Sequence, residues 1–216
     1  MDKTKVAIKL FDKYAHEYQE KFMDMELYNS SFDLFCASVE KKNATVLDIA
    51  CGPGNITRYI LKKRPDFKIL GIDLAPKMLE LAKINNPGAE FQLMDCRDIN
   101  KIDKKYDAIL CGFCLPYISK EEAIQLIQDA AGLLHTNGIF YLSTMEDNYS
   151  KSGFKRPGSG GTDQLFMYYH EAGYLFDALQ ENGFEIIQLS RQDYPESDGT
   201  ITTDLIILSK LKKTIP

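Results

Sequence analysis

The sequence predicts an α/β fold built on a mostly parallel sheet with helices on both faces. Three observations carry this reading. From Thr45 onward, short apolar runs alternate with amphipathic segments of helical period. The runs are four to seven residues long and rich in Val, Ile, Leu and aromatic residues, as strands buried on both faces require. The last two runs are joined by Pro195-Glu196-Ser197-Asp198-Gly199, too brief for a crossover, so that pair must be antiparallel.

In chain order, Phe11, Tyr14, Ala15, Tyr18 and Phe22 recur at spacings of three and four and predict a helical N-terminal segment. Phe32, Phe35, Cys36 and Val39 continue that period over Tyr28–Val39. Together they read as a helical cap over 1–40, followed by one compact unit, 41–216. Strands are expected at Thr45–Ala50, Lys68–Asp73, Glu90–Asp95, Tyr106–Cys111 and Gly138–Thr144. Helices are expected between them at Asn55–Lys63, Pro76–Asn85 and Ser119–His135. The last opens with the capping box Ser119-Lys120-Glu121-Glu122 and stops at Asn137-Gly138. Such strand–helix–strand units connect by right-handed crossovers. Ser150–Thr162 holds Gly153, Pro157, Gly158, Gly160 and Gly161 and reads as a surface loop or a mobile lid. A short strand over Phe166–His170 and a helix over Ala172–Asn182, stopped by Gly183, come next. Strands at Phe184–Ser190 and Thr202–Leu208 finish the sheet.

Composition narrows the function. Of 216 residues, 44% are hydrophobic and 26% charged, and a domain of this size buries roughly 70% of its unfolded surface without a metal or disulfide staple. The 26 basic and 31 acidic residues leave a net charge of −5, the wrong sign for affinity driven by counterion release, so no nucleic-acid partner is expected. No run approaches the roughly 18 apolar residues of a membrane span. The N-terminus lacks the apolar core of a signal peptide, so no membrane role is expected. Cys36, Cys51, Cys96, Cys111 and Cys114 are an odd set and read as reduced thiols in a cytoplasmic protein.

The chemistry-bearing segment is Val46-Leu47-Asp48-Ile49-Ala50-Cys51-Gly52-Pro53-Gly54-Asn55, a buried strand running through a glycine turn into a helix. Gly52 and Gly54 let the backbone approach a ligand, and open N–H groups at the helix start favour an acceptor. Tight strand-to-helix turns also use glycine for packing. Asp73, nineteen residues beyond Gly54, ends the second strand and can accept both hydroxyls of a ribose; capping the helix opened by Pro76 is the alternative. Asp95 can accept from the exocyclic amine of a purine while the Cys96 N–H meets a ring nitrogen; an Asx turn is its alternative. Asp48, Asp73, Asp95 and Cys111 all fall at strand C-termini, the edge where open α/β sheets bind ligands.

This constellation resembles the class I S-adenosylmethionine-dependent methyltransferases from about Thr45 onward. The resemblance implies a Rossmann-like, mostly parallel seven-stranded sheet with an antiparallel C-terminal hairpin, and S-adenosyl-L-methionine as cofactor. It places Asp48, Ala50, Cys51, Gly52 and Gly54 around the methionyl part and Asp73 at the ribose. Leu74 and Met78 would lie against the adenine, Asp95 and Cys96 at its edge, and Cys111, Gly112 and Phe113 by the ammonium group. One departure is Ala50, which stands where the family's first motif usually has glycine; tighter packing rather than lost binding is expected. Phe11-Asp12-Lys13-Tyr14-Ala15 is similar to the cap of the small-molecule branch related to quinone-biosynthesis methyltransferases, where a tyrosine often touches the cofactor; Tyr28 or Tyr14 is the candidate.

The implied reaction is a direct in-line methyl transfer to a small-molecule acceptor, with His170, Tyr117 and Tyr14 as candidate bases and no metal. A non-catalytic cofactor-binding protein of the same fold is the alternative, since methyl transfer leaves no obligatory catalytic signature. An NAD(P)-dependent oxidoreductase fits less well, because the third glycine of its fingerprint would fall at Thr57. Cys111-Gly112-Phe113-Cys114 has the C-x-x-C spacing but ends a strand rather than starting a helix, so the pair reads as buried thiols. His16, His135 and His170 show no metal-ligand spacing. A monomer or homodimer is expected.

Overall fold

Alternation of apolar residues decides the architecture. Along β4 (Tyr106–Gly112), Ala108 and Leu110 join one hydrophobic cluster while Ile109 and Cys111 join another. Both faces are therefore buried, and each is covered by helices. The computed structural model describes residues 3–155, 163–196 and 199–212. Pro157, Gly158, Gly160 and Gly161 of the glycine-rich stretch, and Ser197-Asp198 of the final turn, lie outside the described residues.

The seven-stranded sheet has the order β3-β2-β1-β4-β5-β9-β8. Its members are β1 (Thr45–Ile49), β2 (Lys68–Asp73), β3 (Glu90–Leu93), β4, β5 (Leu134–Glu146), β8 (Phe184–Pro195) and β9 (Ile201–Leu211). The first five are mutually parallel, whereas β9 runs antiparallel to both β5 and β8. The helices α4 (Asn55–Lys63), α5 (Pro76–Asn85) and α6 (Lys120–Leu133) join the parallel strands, and α7 (Ala172–Glu181) precedes the hairpin. A two-stranded ribbon, β6 (Gly153–Lys155) with β7 (Leu165–Met167), stands apart from this sheet.

Several boundaries depart from expectation for identifiable reasons. The N-terminal period belongs to two helices, α1 (Lys3–Lys13) and α2 (Ala15–Phe22), with Tyr14 between them; α3 (Asn29–Ser38) follows. α6 ends at Leu133, and β5 begins at Leu134 and crosses Asn137-Gly138, where Asn137 takes the left-handed conformation (φ 67°) that its short polar side chain tolerates. β3 stops at Leu93, so Asp95 caps a 3-10 turn over Cys96–Lys101 instead of closing a strand. The ribbon takes Gly153 as a strand residue, and its second strand, Leu165–Met167, shares only Phe166 and Met167 with the expected Phe166–His170, while His170 makes an isolated bridge to Glu146.

The strand order sets the site. Relative to β1, β2 and β3 extend one way and β4 and β5 the other. Crossovers therefore leave on opposite faces, and a crevice opens above the carboxyl ends of β1 and β4.

Candidate functional site

The floor of the crevice is the turn after β1. Ala50, Gly52 and Gly54 have φ of 54°, 53° and 77°, folding the chain sharply back into α4. Gly54 is needed twice over: its φ is left-handed, and a Cβ there would come within 2.3 Å of the Asn86 Nδ2. Ala50 holds the same conformation with a methyl group in place, which is where the sequence departs from the glycine of the resembled motif.

Asp73 at the end of β2 is locked to this turn. Its Oδ2 accepts the Gly52 N–H at 2.9 Å and its Oδ1 accepts the Ala75 N–H at 2.8 Å. Burial raises the Asp73 pKa, opposed by the Ala75 and Gly52 N–H bonds. Asp73 thus binds backbone at the head of α5 and also lines the crevice.

On the other side, Phe113 follows β4 with φ 56° and donates its N–H to the Ser143 carbonyl oxygen at 3.0 Å. Beyond β3, Asp95 Oδ1 accepts the Arg97 N–H at 3.0 Å, the Asx-type bond that the sequence offers as the alternative reading. Asp95 also receives the Arg97 Nε at 2.9 Å and Nη2 at 2.5 Å, which together outweigh burial and lower its pKa.

These pieces surround a partly open cavity above the sheet edge. Ala50, Gly52, Asp73, Leu74, Met78, Asp95, Cys96, Gly112, Phe113 and Tyr117 line it, as does the apolar face of α1 through Ala7, Ile8 and Phe11. Phe11 packs edge-on against Tyr117 with ring centres 4.9 Å apart. Asp12 holds α1 down by accepting the Lys77 N–H at 2.9 Å, capping α5 where Ala75 offers no side-chain cap.

Other predicted residues sit elsewhere. Asp48 lies beneath the glycine turn, 1% exposed, and accepts the Thr57 hydroxyl at 2.6 Å; burial raises its pKa to about 7. Cys51, Gly54 and Cys111 support the floor without lining the cavity. Tyr28 is buried behind Phe113 and donates to Asp204 Oδ2 at 2.5 Å, while burial pushes Asp204 up to about 6. Tyr14 instead donates to Asp163 at 2.8 Å. Of the tyrosines in the N-terminal helices, Tyr18 reaches the cavity; the helical period places it on the face of Tyr14 and Phe11 but does not single it out. Burial first, then the Asp73 charge, raises Tyr18 to about 12; burial first, then Tyr18, raises Tyr117 further, so both phenols remain donors at neutral pH.

His170 has no free nitrogen. Its Nε2–H donates to the Leu115 carbonyl oxygen at 2.8 Å, its Nδ1 pairs with the Tyr174 hydroxyl, and burial lowers its pKa. The Cys114 thiol bonds those of Cys111 and Cys96, and all five cysteines are free. The bond to Cys114 and burial hold Cys96 protonated, so it is a poor nucleophile. Among the described residues no cluster of ligating side chains could hold a metal, and no helix is long and apolar enough to cross a membrane.

Residues 46–138 match the family model described as a methyltransferase domain. The demethylmenaquinone methyltransferase of Thermotoga maritima is 31% identical over 115 residues, covering 50% of this chain and 49% of the relative. The trans-aconitate 2-methyltransferase of an Enterobacter species is 35% identical over 103 residues, covering 48% and 39%. The chain thus spans about half or less of the length of these curated relatives. The magnesium protoporphyrin IX methyltransferase of Synechocystis PCC 6803, solved with bound SAM, superposes with a TM-score of 0.71 at 16% identity over 97% of each chain, a likeness of fold. The matching segment, a methyltransferase domain, carries the glycine turn, Asp73 and the Asp95 loop, and the sheet around it has the fold of that solved methyltransferase.

Proposed function

We propose that the protein binds S-adenosyl-L-methionine in this crevice and transfers its methyl group to a small-molecule acceptor. The observation that carries the reading is the Gly52–Asp73 junction: a backbone N–H and a buried carboxylate from distant parts of the chain meet at the sheet edge where the strand order reverses. The residues fit the cofactor. A side chain at Gly52 would meet nothing nearer than the Tyr18 ring at 3.9 Å, so open space lies directly over the turn. Asp73 lines the cavity with acceptor capacity left for a ribose hydroxyl, and Leu74 and Met78 offer apolar surface beside it.

The bound sulfonium would supply an activated methyl group, its carbon–sulfur bond breaking as the acceptor's bond to carbon forms and the electron pair staying on sulfur. The chain's own contribution is positioning. Asp73 and Gly52 orient the ribose end, and the apolar faces of α1 and α5 exclude water. Holding two reactants in line can contribute roughly 7–11 kcal/mol of barrier lowering. Of the three candidate bases, Tyr117 alone touches the cavity, where its protonated phenol orients the acceptor by donating a hydrogen bond. The α1–α3 segment acts as the cap. Names of the related methyltransferases support a small-molecule acceptor. Five free thiols suit a cytoplasmic setting. We place the protein there as a monomer or homodimer.

Calorimetry with S-adenosylmethionine and its demethylated product tests the assignment. Micromolar binding is expected, weakened at least about tenfold by Asp73→Ala, because hydrogen bonds to a charged group contribute about 1.5–3 kcal/mol each. Unchanged affinity in a folded variant would remove the ribose assignment. Turnover of labelled cofactor across a panel of small acceptors tests the chemistry; tight binding with no turnover would favour the non-catalytic alternative.

A further inference from the structure

At the adenine end, the cavity wall contains a residue that the motif comparison does not assign. Arg97 lines the cavity, and its guanidinium bridges two carboxylates. Nε and Nη2 clasp both oxygens of Asp95, at 2.9 and 2.5 Å, and Nη1 donates to Glu122 Oε1 at 3.0 Å. Glu122 is itself fixed, because its Oε2 accepts the Ser119 N–H at 2.7 Å in the capping box of α6. Asp95 is thus held from both ends: its own loop supplies the Arg97 N–H, and the guanidinium ties it to a helix start.

We propose that Arg97 is a positioning residue for the purine: by gripping Asp95 it presents that carboxylate as a fixed acceptor, so the site selects a 6-aminopurine over a 6-oxopurine. The inference rests on the cofactor reading above. A 6-amino group can donate to the clasped carboxylate, whereas a 6-oxo group would bring its lone pairs against it. Sites built to receive a hydrogen bond reject analogues that cannot make it, because a buried polar group is left unpaired. Without the guanidinium, Asp95 keeps the backbone N–H of position 97 but loses the side-chain bonds that do most to lower its pKa, while keeping the burial that raises it. It could then take a proton and donate to a 6-oxo group. A lysine would keep the charge but not the planar fork that meets both oxygens.

The test is calorimetric binding of S-adenosylhomocysteine and S-inosylhomocysteine to the wild type, Arg97→Ala and Arg97→Lys, with a melting curve for each protein. The wild type should favour the adenosyl ligand at least about tenfold. Arg97→Ala should lose most of that ratio, with Arg97→Lys between. A change that merely loosened the loop would weaken both ligands alike, so an unchanged ratio in the variants overturns the proposal, as does a wild-type ratio near one. If Arg97→Ala does not fold, Arg97→Lys carries the comparison. A wild type that binds neither ligand refutes the cofactor reading itself, and the proposal with it.

Discussion

Asp48 makes a measurable demand on the fold. It is 1% exposed under the glycine turn and bonded to a single hydroxyl, that of Thr57, so burial raises its pKa from 3.8 to about 7. A raised folded-state pKa means that the stability is fully present below about pH 3.8 and is lost as the pH climbs to about 7. At about 1.4 kcal/mol per pKa unit, ionising Asp48 in the folded state costs about 4 kcal/mol, of which about 2–3 kcal/mol falls between pH 5 and pH 8. Asp48→Asn keeps the shape and the acceptor for Thr57 but cannot ionise. Urea unfolding of both proteins at pH 5 and pH 8 isolates the effect, since Asp204, raised to about 6, titrates equally in each and cancels in the difference. The variant should lose about 2–3 kcal/mol less stability than the wild type across that interval. Parallel pH profiles would refute the account of a carboxyl destabilised by burial.

The glycine turn yields two opposite expectations from the same unfolding assay. Gly54→Ala should cost about 2–4 kcal/mol: the left-handed conformation penalises a Cβ, and the new atom displaces the Asn86 Nδ2 from its bonds to the Gly54 and Ala82 carbonyl oxygens. Ala50→Gly should gain up to about 1 kcal/mol, because relief of left-handed strain, about 1–2 kcal/mol, exceeds the added freedom of the unfolded chain, about 0.4–1 kcal/mol. A lower urea midpoint for Ala50→Gly would show that the turn is not strained there.

The parallel half of the fold was legible because each strand is a short apolar run bounded by a turn residue, and the capping box at Ser119 forms as its spacing implies. What resisted reading was set by partners distant in sequence. Nothing local marks Tyr18 over Tyr14 or Tyr28, because all three are aromatic residues near the cap; the choice was made when Asp163 and Asp204 took the other two hydroxyls. His170 looked available because sequence does not show that Leu115, fifty-five positions earlier, would offer it a carbonyl. Nothing local marks Arg97, because its meaning depends on Glu122, twenty-five residues on. Asp73 was readable because its strand-end position and its spacing from the glycines are local facts.

Backbone strain supplies an independent line toward the same crevice. Four non-glycine residues among those described have positive φ: Asn43, Ala50, Phe113 and Asn137. The two asparagines tolerate the conformation through short polar side chains that can bond locally. Alanine and phenylalanine have no such relief, and both sit at the cavity, one after β1 and one after β4. Strain of this kind persists only where the surroundings over-determine it. Around Phe113 they do: its N–H is bonded to Ser143, and its ring packs 5.3 Å from Tyr28, which Asp204 anchors in turn. Tyr28 therefore bears on the site without touching the cavity, by fixing the wall against which Phe113 is bent. The cost of burying the Asp204 carboxyl lies on the same chain of contacts, and Asp48 is buried beneath the glycine turn, so two costly buried acids stand behind the two strained positions that line the cavity.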